Sequence, residues 1–122
     1  MKFHLQAPAA NLIRALGADW IRIGETEYRQ NLIVTPDAVV TGWAPAGFAA
    51  LTADDFASLL EYAPEVVLLG TGARQSFPHP RLTSALSQAR IGVEAMDTRA
   101  ACRTFNILVA EDRRVVAALV VA

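Results

Sequence analysis

Two stretches of the chain, Val66–Leu69 (VVLL) and Val115–Val121 (VVAALVV), contain no polar residue. A strand with one face in water alternates apolar and polar positions, whereas an unbroken apolar run implies cover on both faces. The two runs therefore predict neighbouring central strands with helices on both faces of their sheet. At 122 residues the chain suits one such domain, spanning 1–122.

The segments between and before these runs supply the rest of an α/β pattern. Thr52 precedes Asp54 and Asp55, a capping-box-like start with acids in the first turn. Phe56, Leu59, Leu60 and Ala63 then recur at helical spacing until Pro64. Pro80 suits a first helical position, and Leu82, Ala85, Leu86 and Ala89 repeat the same spacing. Gly92–Met96 predicts a short strand, and Asp97 caps a third helix running to about Ala110. Upstream, Trp20–Ile23 and Tyr28–Thr35 predict a hairpin turning at Gly24-Glu25. Thr35-Pro36-Asp37 is a further turn, and Ala38–Trp43 a third strand. The expected order is an N-terminal β-hairpin, then β-α-β-α-β-α-β. Right-handed crossovers make the central sheet mostly parallel, with the direction of its last strand open.

Composition narrows the function classes. Eleven basic residues stand against twelve acidic ones, so no excess of positive charge suits a general nucleic-acid binder. Hydrophobic residues make up 53% of the chain, enough for a real core. The single cysteine, Cys102, excludes an internal disulfide and fits a reducing compartment. The first twenty residues show neither a long apolar segment nor an Arg/Ser-rich presequence pattern. Apolar runs of about eight residues are too short to span a bilayer. The expectation is a cytoplasmic protein with no membrane span and no bound nucleic acid.

Candidate chemistry gathers at one edge. In an open α/β sheet, ligands bind beyond the carboxyl ends of the strands. Two segments reach that edge: Gly70–His79, which follows the first apolar run, and Met96-Asp97-Thr98-Arg99. Gly70-Thr71-Gly72 lets backbone approach a ligand, the third helix offers free N–H groups, and Arg74 and Arg99 add positive charge. An anion in a shared crevice is physically sensible. The alternative is a tight strand exit lined by small residues. The third glycine of a dinucleotide fingerprint and the Gly-Lys-Ser/Thr of a P-loop are both missing, and Pro78 and Pro80 displace the following helix. The strand exit is the favoured reading.

Cys102, near Arg99 and Arg103, is either a thiol of lowered pKa or a small buried hydrophobe, and its helical position favours burial. A base for it could come only from His4 or His79. Asp97 reads as a cap before a catalytic acid. Glu94 reads as an edge charge. No Cys/His cluster has metal spacing and no Ser–His–Asp order stands out, so no catalytic residue, metal or cofactor is expected. On the third helix, Ala101, Phe105 and Leu108 form the core face, while Ala100 and Ile107 lie on a second apolar side flanked by Arg103. Such a strip is either covered by another layer, the favoured expectation, or a contact surface involving Arg103, Asn106 and Ile107.

The strings EVVLLGTG and IGVEAMDTRAACRTFNILVAEDRRVVAAL resemble the domain-of-unknown-function family that contains mitochondrial complex I assembly factor 3 and the adipogenesis-associated domain protein. The resemblance runs from about Gly42-Trp43 to Leu119 and is most specific at Met96–Leu108. Gly70, Thr71 and Gly72 match the family's strand-exit loop, and Asp97, Thr98 and Ala101–Asn106 its helix signature. The resemblance implies a compact three-layer α/β fold around a mixed central sheet, with no established enzyme activity. It implies an accessory or assembly protein bound to a protein partner, and the missing presequence pattern fits a bacterial member. The alternative is a small anionic-ligand binder or enzyme using the Gly70–Gly72 loop and the Asp97 helix start.

Overall fold

The computed structural model describes residues 10–121. Three short strands, β1 (Ile13–Leu16), β2 (Ile21–Ile23) and β3 (Thr26–Tyr28), form an antiparallel sheet of their own. A second sheet holds five strands: β4 (Leu32–Val34), β5 (Val39–Thr41), β6 (Val66–Gly70), β7 (Gly92–Met96) and β8 (Val115–Leu119). Its order is β5-β4-β8-β6-β7. The two apolar runs are indeed interior neighbours, and β8 runs parallel to β6 in register Val66↔Val115 to Gly70↔Leu119. All five residues of each strand are buried.

The sheet is more mixed than expected. β6 pairs parallel with β7 and β8, but β4 pairs antiparallel with both β8 and β5. The cause lies in Tyr28–Thr35, which is not one strand. The hairpin does turn at Gly24-Glu25, with Ile23 opposite Thr26, but its second strand stops at Tyr28. Ile21-Arg22-Ile23 alternates buried, exposed, buried, as a one-faced sheet requires. Leu32-Ile33-Val34 is buried throughout, so it needs cover on both faces and joins the larger sheet. Asn31 marks the break: its Nδ2 donates to the Ala44 carbonyl at 2.8 Å, and its Oδ1 accepts the Val121 N–H at 2.7 Å.

Helices and turns cover the large sheet. The capping box at Thr52 closes with Asp55, starting α1 (Ala53–Ala57), which tightens into a 3-10 segment at Ser58–Tyr62. Pro80 does open a helical segment, a 3-10 turn at Pro80–Thr83 leading into α2 (Ser84–Gln88). Asp97 caps α3 (Thr98–Ala110), its carboxylate accepting the Ala100 N–H at 2.9 Å. Strand alternation then sorts the core into two. Val66, Leu68, Val115, Ala117 and Leu119 pack with Ala101, Cys102 and Phe105 of α3 and with Ile13, Ile21 and Ile23 of the small sheet. Val67, Leu69, Val116 and Ala118 pack with Trp43, Phe56, Leu59 and Leu86. Trp43 stands edge-on to Phe56 at 6.2 Å and donates its indole N–H to the Asp55 carbonyl. Phe105 is fully buried, and its truncation to alanine carries a cost of about 3–5 kcal/mol.

Candidate functional site

β6, β7 and β8 end level, with Gly70 beside both Met96 and Leu119. The chain leaves β6 through Thr71 and Gly72, and α3 begins directly above. Thr98, the first residue of α3, ties the three ends together. Its N–H donates to the Gly72 carbonyl at 2.9 Å, and its Oγ1 accepts the Gly72 N–H at 2.8 Å. The same hydroxyl donates to the Val120 carbonyl at 2.7 Å, while the Val120 N–H reaches the Gly70 carbonyl at 2.8 Å. Thr98 is buried with all of this satisfied.

Two glycines make that junction possible, for different reasons. A Cβ on Gly70 would lie 2.8 Å from Leu119 Cδ2 and 3.2 Å from the Thr98 Cα, so the glycine is there to let the helix start sit on the strand. A Cβ on Gly72 would make only ordinary contact with Val120 Cγ1 at 3.8 Å, but its φ of +99° is one that side chains rarely adopt. Thr71 is buried: its N–H donates to the Met96 carbonyl at 2.9 Å, and its hydroxyl donates to the Arg74 carbonyl and accepts the Ser76 N–H at 3.1 Å.

The expected crevice exists. It encloses about 390 Å3 and is lined by Gly72, Asp97, Thr98 and Arg99 from the sheet edge, with Gly17 and Trp20 from the β1–β2 turn. That volume falls in the range of small-ligand pockets, about 300–1,000 Å3. The expectation that the glycine-loop N–H groups face it needs correcting. Those of Thr71 and Gly72 are bonded to Met96 and Thr98, and those of Thr98 and Ala100 to Gly72 and Asp97. Among the described residues, the Arg99 N–H is the first-turn group of α3 left without an acceptor. Gly70, Thr71 and Arg74 are not part of the lining, so the two arginines do not converge there. Sequence reasoning placed Trp20 in a strand and overlooked Gly17. The signal was the turn Gly17-Ala18-Asp19-Trp20, closed by the Gly17 N–H on the Trp20 carbonyl at 2.9 Å, with the indole stacked where a Gly17 Cβ would stand.

Cys102 is buried against the small sheet, and desolvation pushes its thiol up to about 12, against the lowering influence of Arg99 and Arg103. His79 is exposed and accepts the Arg81 N–H through Nδ1 at 3.1 Å. Its helical segment packs on α1, across the large sheet from Cys102, so the two do not pair. His4 lies outside the described residues. Glu94 is exposed on the edge strand β7. On the outer side of α3, Arg103 is exposed and Ile107 is 57% exposed, so the expected covering layer does not reach it. Asn106 is used inward: it donates to the Ile13 carbonyl at 2.8 Å and accepts the Ile13 N–H at 2.9 Å.

Comparison with known proteins gives these findings. The model of a family described as "Protein of unknown function (DUF498/DUF598)" matches residues 13–120. NADH dehydrogenase [ubiquinone] 1 alpha subcomplex assembly factor 3 from mouse is 37% identical over 90 residues, 72% of this chain and 48% of the mouse protein. This chain thus spans about half the length of that relative. A 13 kDa major membrane protein of Francisella tularensis is 37% identical over 57 residues, 47% of this chain and 46% of the relative. A crystal structure of a Bordetella parapertussis protein superposes with a TM-score of 0.88 at 39% identity, covering 95% of this chain and 99% of that one. A Bordetella pertussis structure described as a Mth938-like domain gives 0.73 at 32% identity, covering 99% and 92%. No helix among the described residues is long and apolar enough to cross a membrane.

Proposed function

The chain belongs to the DUF498/DUF598 family, and from that premise we propose that it is a non-enzymatic accessory protein that acts by binding a protein partner during assembly of a larger complex. The observation that carries the reading is the similarity to assembly factor 3 across 72% of this chain. Two features of the molecule support it. Groups that could have served chemistry at the sheet edge are engaged in holding that edge together. The outer strip of α3, with Ile107 open beside Arg103, offers an apolar contact framed by positive charge. The lone reduced thiol supports a reducing compartment as the place of action. The test is affinity isolation of the full chain from its native cells, followed by gel filtration. One protein in fixed stoichiometry, lost in Ile107→Asp, is the expected result. A chain that elutes alone under all conditions would overturn it.

A second reading rests on the crevice: a small anion held at Arg99 and the start of α3. Amide shifts at Gly72–Arg74 and Arg99 during phosphate and nucleotide titrations would test it. Micromolar binding abolished by Arg99→Ala supports a ligand function. Millimolar effects that vanish with salt leave only screened charge at a helix end.

A further inference from the structure

We propose that the loop Ala73–His79 is a second contact point, a peg whose Phe77 ring enters an apolar pocket on a partner protein while Arg74 and Arg81 meet carboxylates around it. This deepens the protein-contact reading and rests on it. Phe77 is 73% exposed, the most open of the large apolar side chains among the described residues. It is not a loose loop tip. Before it, the Ser76 N–H is held by Thr71, and Gln75 Nε2 donates to the Ala95 carbonyl at 3.0 Å. After it, Pro78 and Pro80 fix the backbone, and the Leu82 N–H closes on the His79 carbonyl at 2.9 Å. A braced aromatic loses little freedom on docking, which is how such residues become binding hot spots.

The charge around the ring defines the partner. From Val66 to Val93 the chain has three arginines and no acidic residue, although acids slightly outnumber bases overall. Arg74 and Arg81, three residues before Phe77 and four after it, are both exposed and form no ion pair among the described residues. The neighbouring α1 brings Asp54 and Asp55, but Asp55 is committed to the Thr52 N–H at 2.8 Å. An aromatic framed by arginines matches the residue types that concentrate at protein interfaces. One ring and two arginines make a weak hold on a bilayer, where stable attachment takes stronger signals.

The test places photoreactive benzoylphenylalanine at position 77 of the full chain in native cells and maps the cross-linked peptide. Partner binding is measured in parallel for Phe77→Ser, Phe77→Trp and the pair Arg74→Glu, Arg81→Glu. Expected are a cross-link into an acidic segment of one protein, a loss of about tenfold or more in affinity for Phe77→Ser and for the charge reversal, and retention in Phe77→Trp. A partner that binds wild type and Phe77→Ser alike overturns this proposal and leaves the protein-contact reading standing. A chain with no partner at all overturns both. Sedimentation with phosphatidylglycerol vesicles that depends on Phe77, without a protein cross-link, overturns it in favour of a membrane surface.

Discussion

Within a single connection between β6 and α2, two neighbouring segments treat the backbone in opposite ways. Gly70–Gly72 turns inward: its two N–H groups at Thr71 and Gly72 are bonded to Met96 and Thr98, and the missing side chain of Gly70 makes room for α3. Ala73–His79 turns outward and holds an aromatic ring in water. The glycine-rich part looked like the ligand loop because glycine permits close approach by any group. Here the approaching group is the protein's own helix. A glycine pair after a strand therefore says that something comes close, and only the neighbouring hydrogen bonds say what.

If the inward segment is a structural knot, breaking it unfolds the molecule. Thr98→Val keeps the shape but strands the Gly72 N–H and the Val120 carbonyl, and should cost roughly 2–4 kcal/mol in urea unfolding. Thr98→Ser keeps the hydroxyl and should cost about 1 kcal/mol for the lost methyl. Equal losses would mean that the hydroxyl network contributes nothing. Gly70→Ala forces the Leu119 tip and the Thr98 backbone to give, at roughly 1–3 kcal/mol.

Cys102, on the buried face of α3, extends the contrast to reactivity. With its thiol held near 12, it should react with a maleimide at the rate of global or local opening. Because the folded pKa is raised, its contribution to stability is full below the free-thiol value and declines as pH rises from there toward 12. Rapid labelling of the native protein at neutral pH would contradict that burial. The smallest effect belongs to the outward segment. Phe77→Ser should leave stability within about 0.5 kcal/mol, since the ring buries little. A larger loss would show that the ring packs on its own protein.

Legibility in the sequence followed how many faces of an element are covered. Val66–Leu69 and Val115–Val121 could be read because two-sided burial removes every polar residue. Asp97 and Thr52 could be read because a cap is a local contact within four residues. Tyr28–Thr35 was misread because the polar run Arg29-Gln30-Asn31, where the chain changes sheet, passes for part of one strand. Its marker is an amide whose partners, Ala44 and Val121, lie 13 and 90 residues away. The crevice was half legible. Asp97, Thr98 and Arg99 followed from strand-edge geometry, but Trp20 reaches it through a turn with no sequence link to that edge. Ile107 was expected to be covered, and whether a helix has one neighbour or two depends on contacts far along the chain.

The position of β8 carries a consequence for how the protein is made. The final strand of the sheet in sequence lies in its middle, with β4 on one side and β6 on the other. A nascent chain emerging from the ribosome has β4–β5 and β6–β7 complete long before anything joins them. Until residues 115–119 arrive, two small pieces with raw interior edges wait side by side, each a template for pairing with a stranger. The large sheet cannot close until residues 115–119 are made, so a premature stop shortly before Val115 yields two halves of a sheet with no seam.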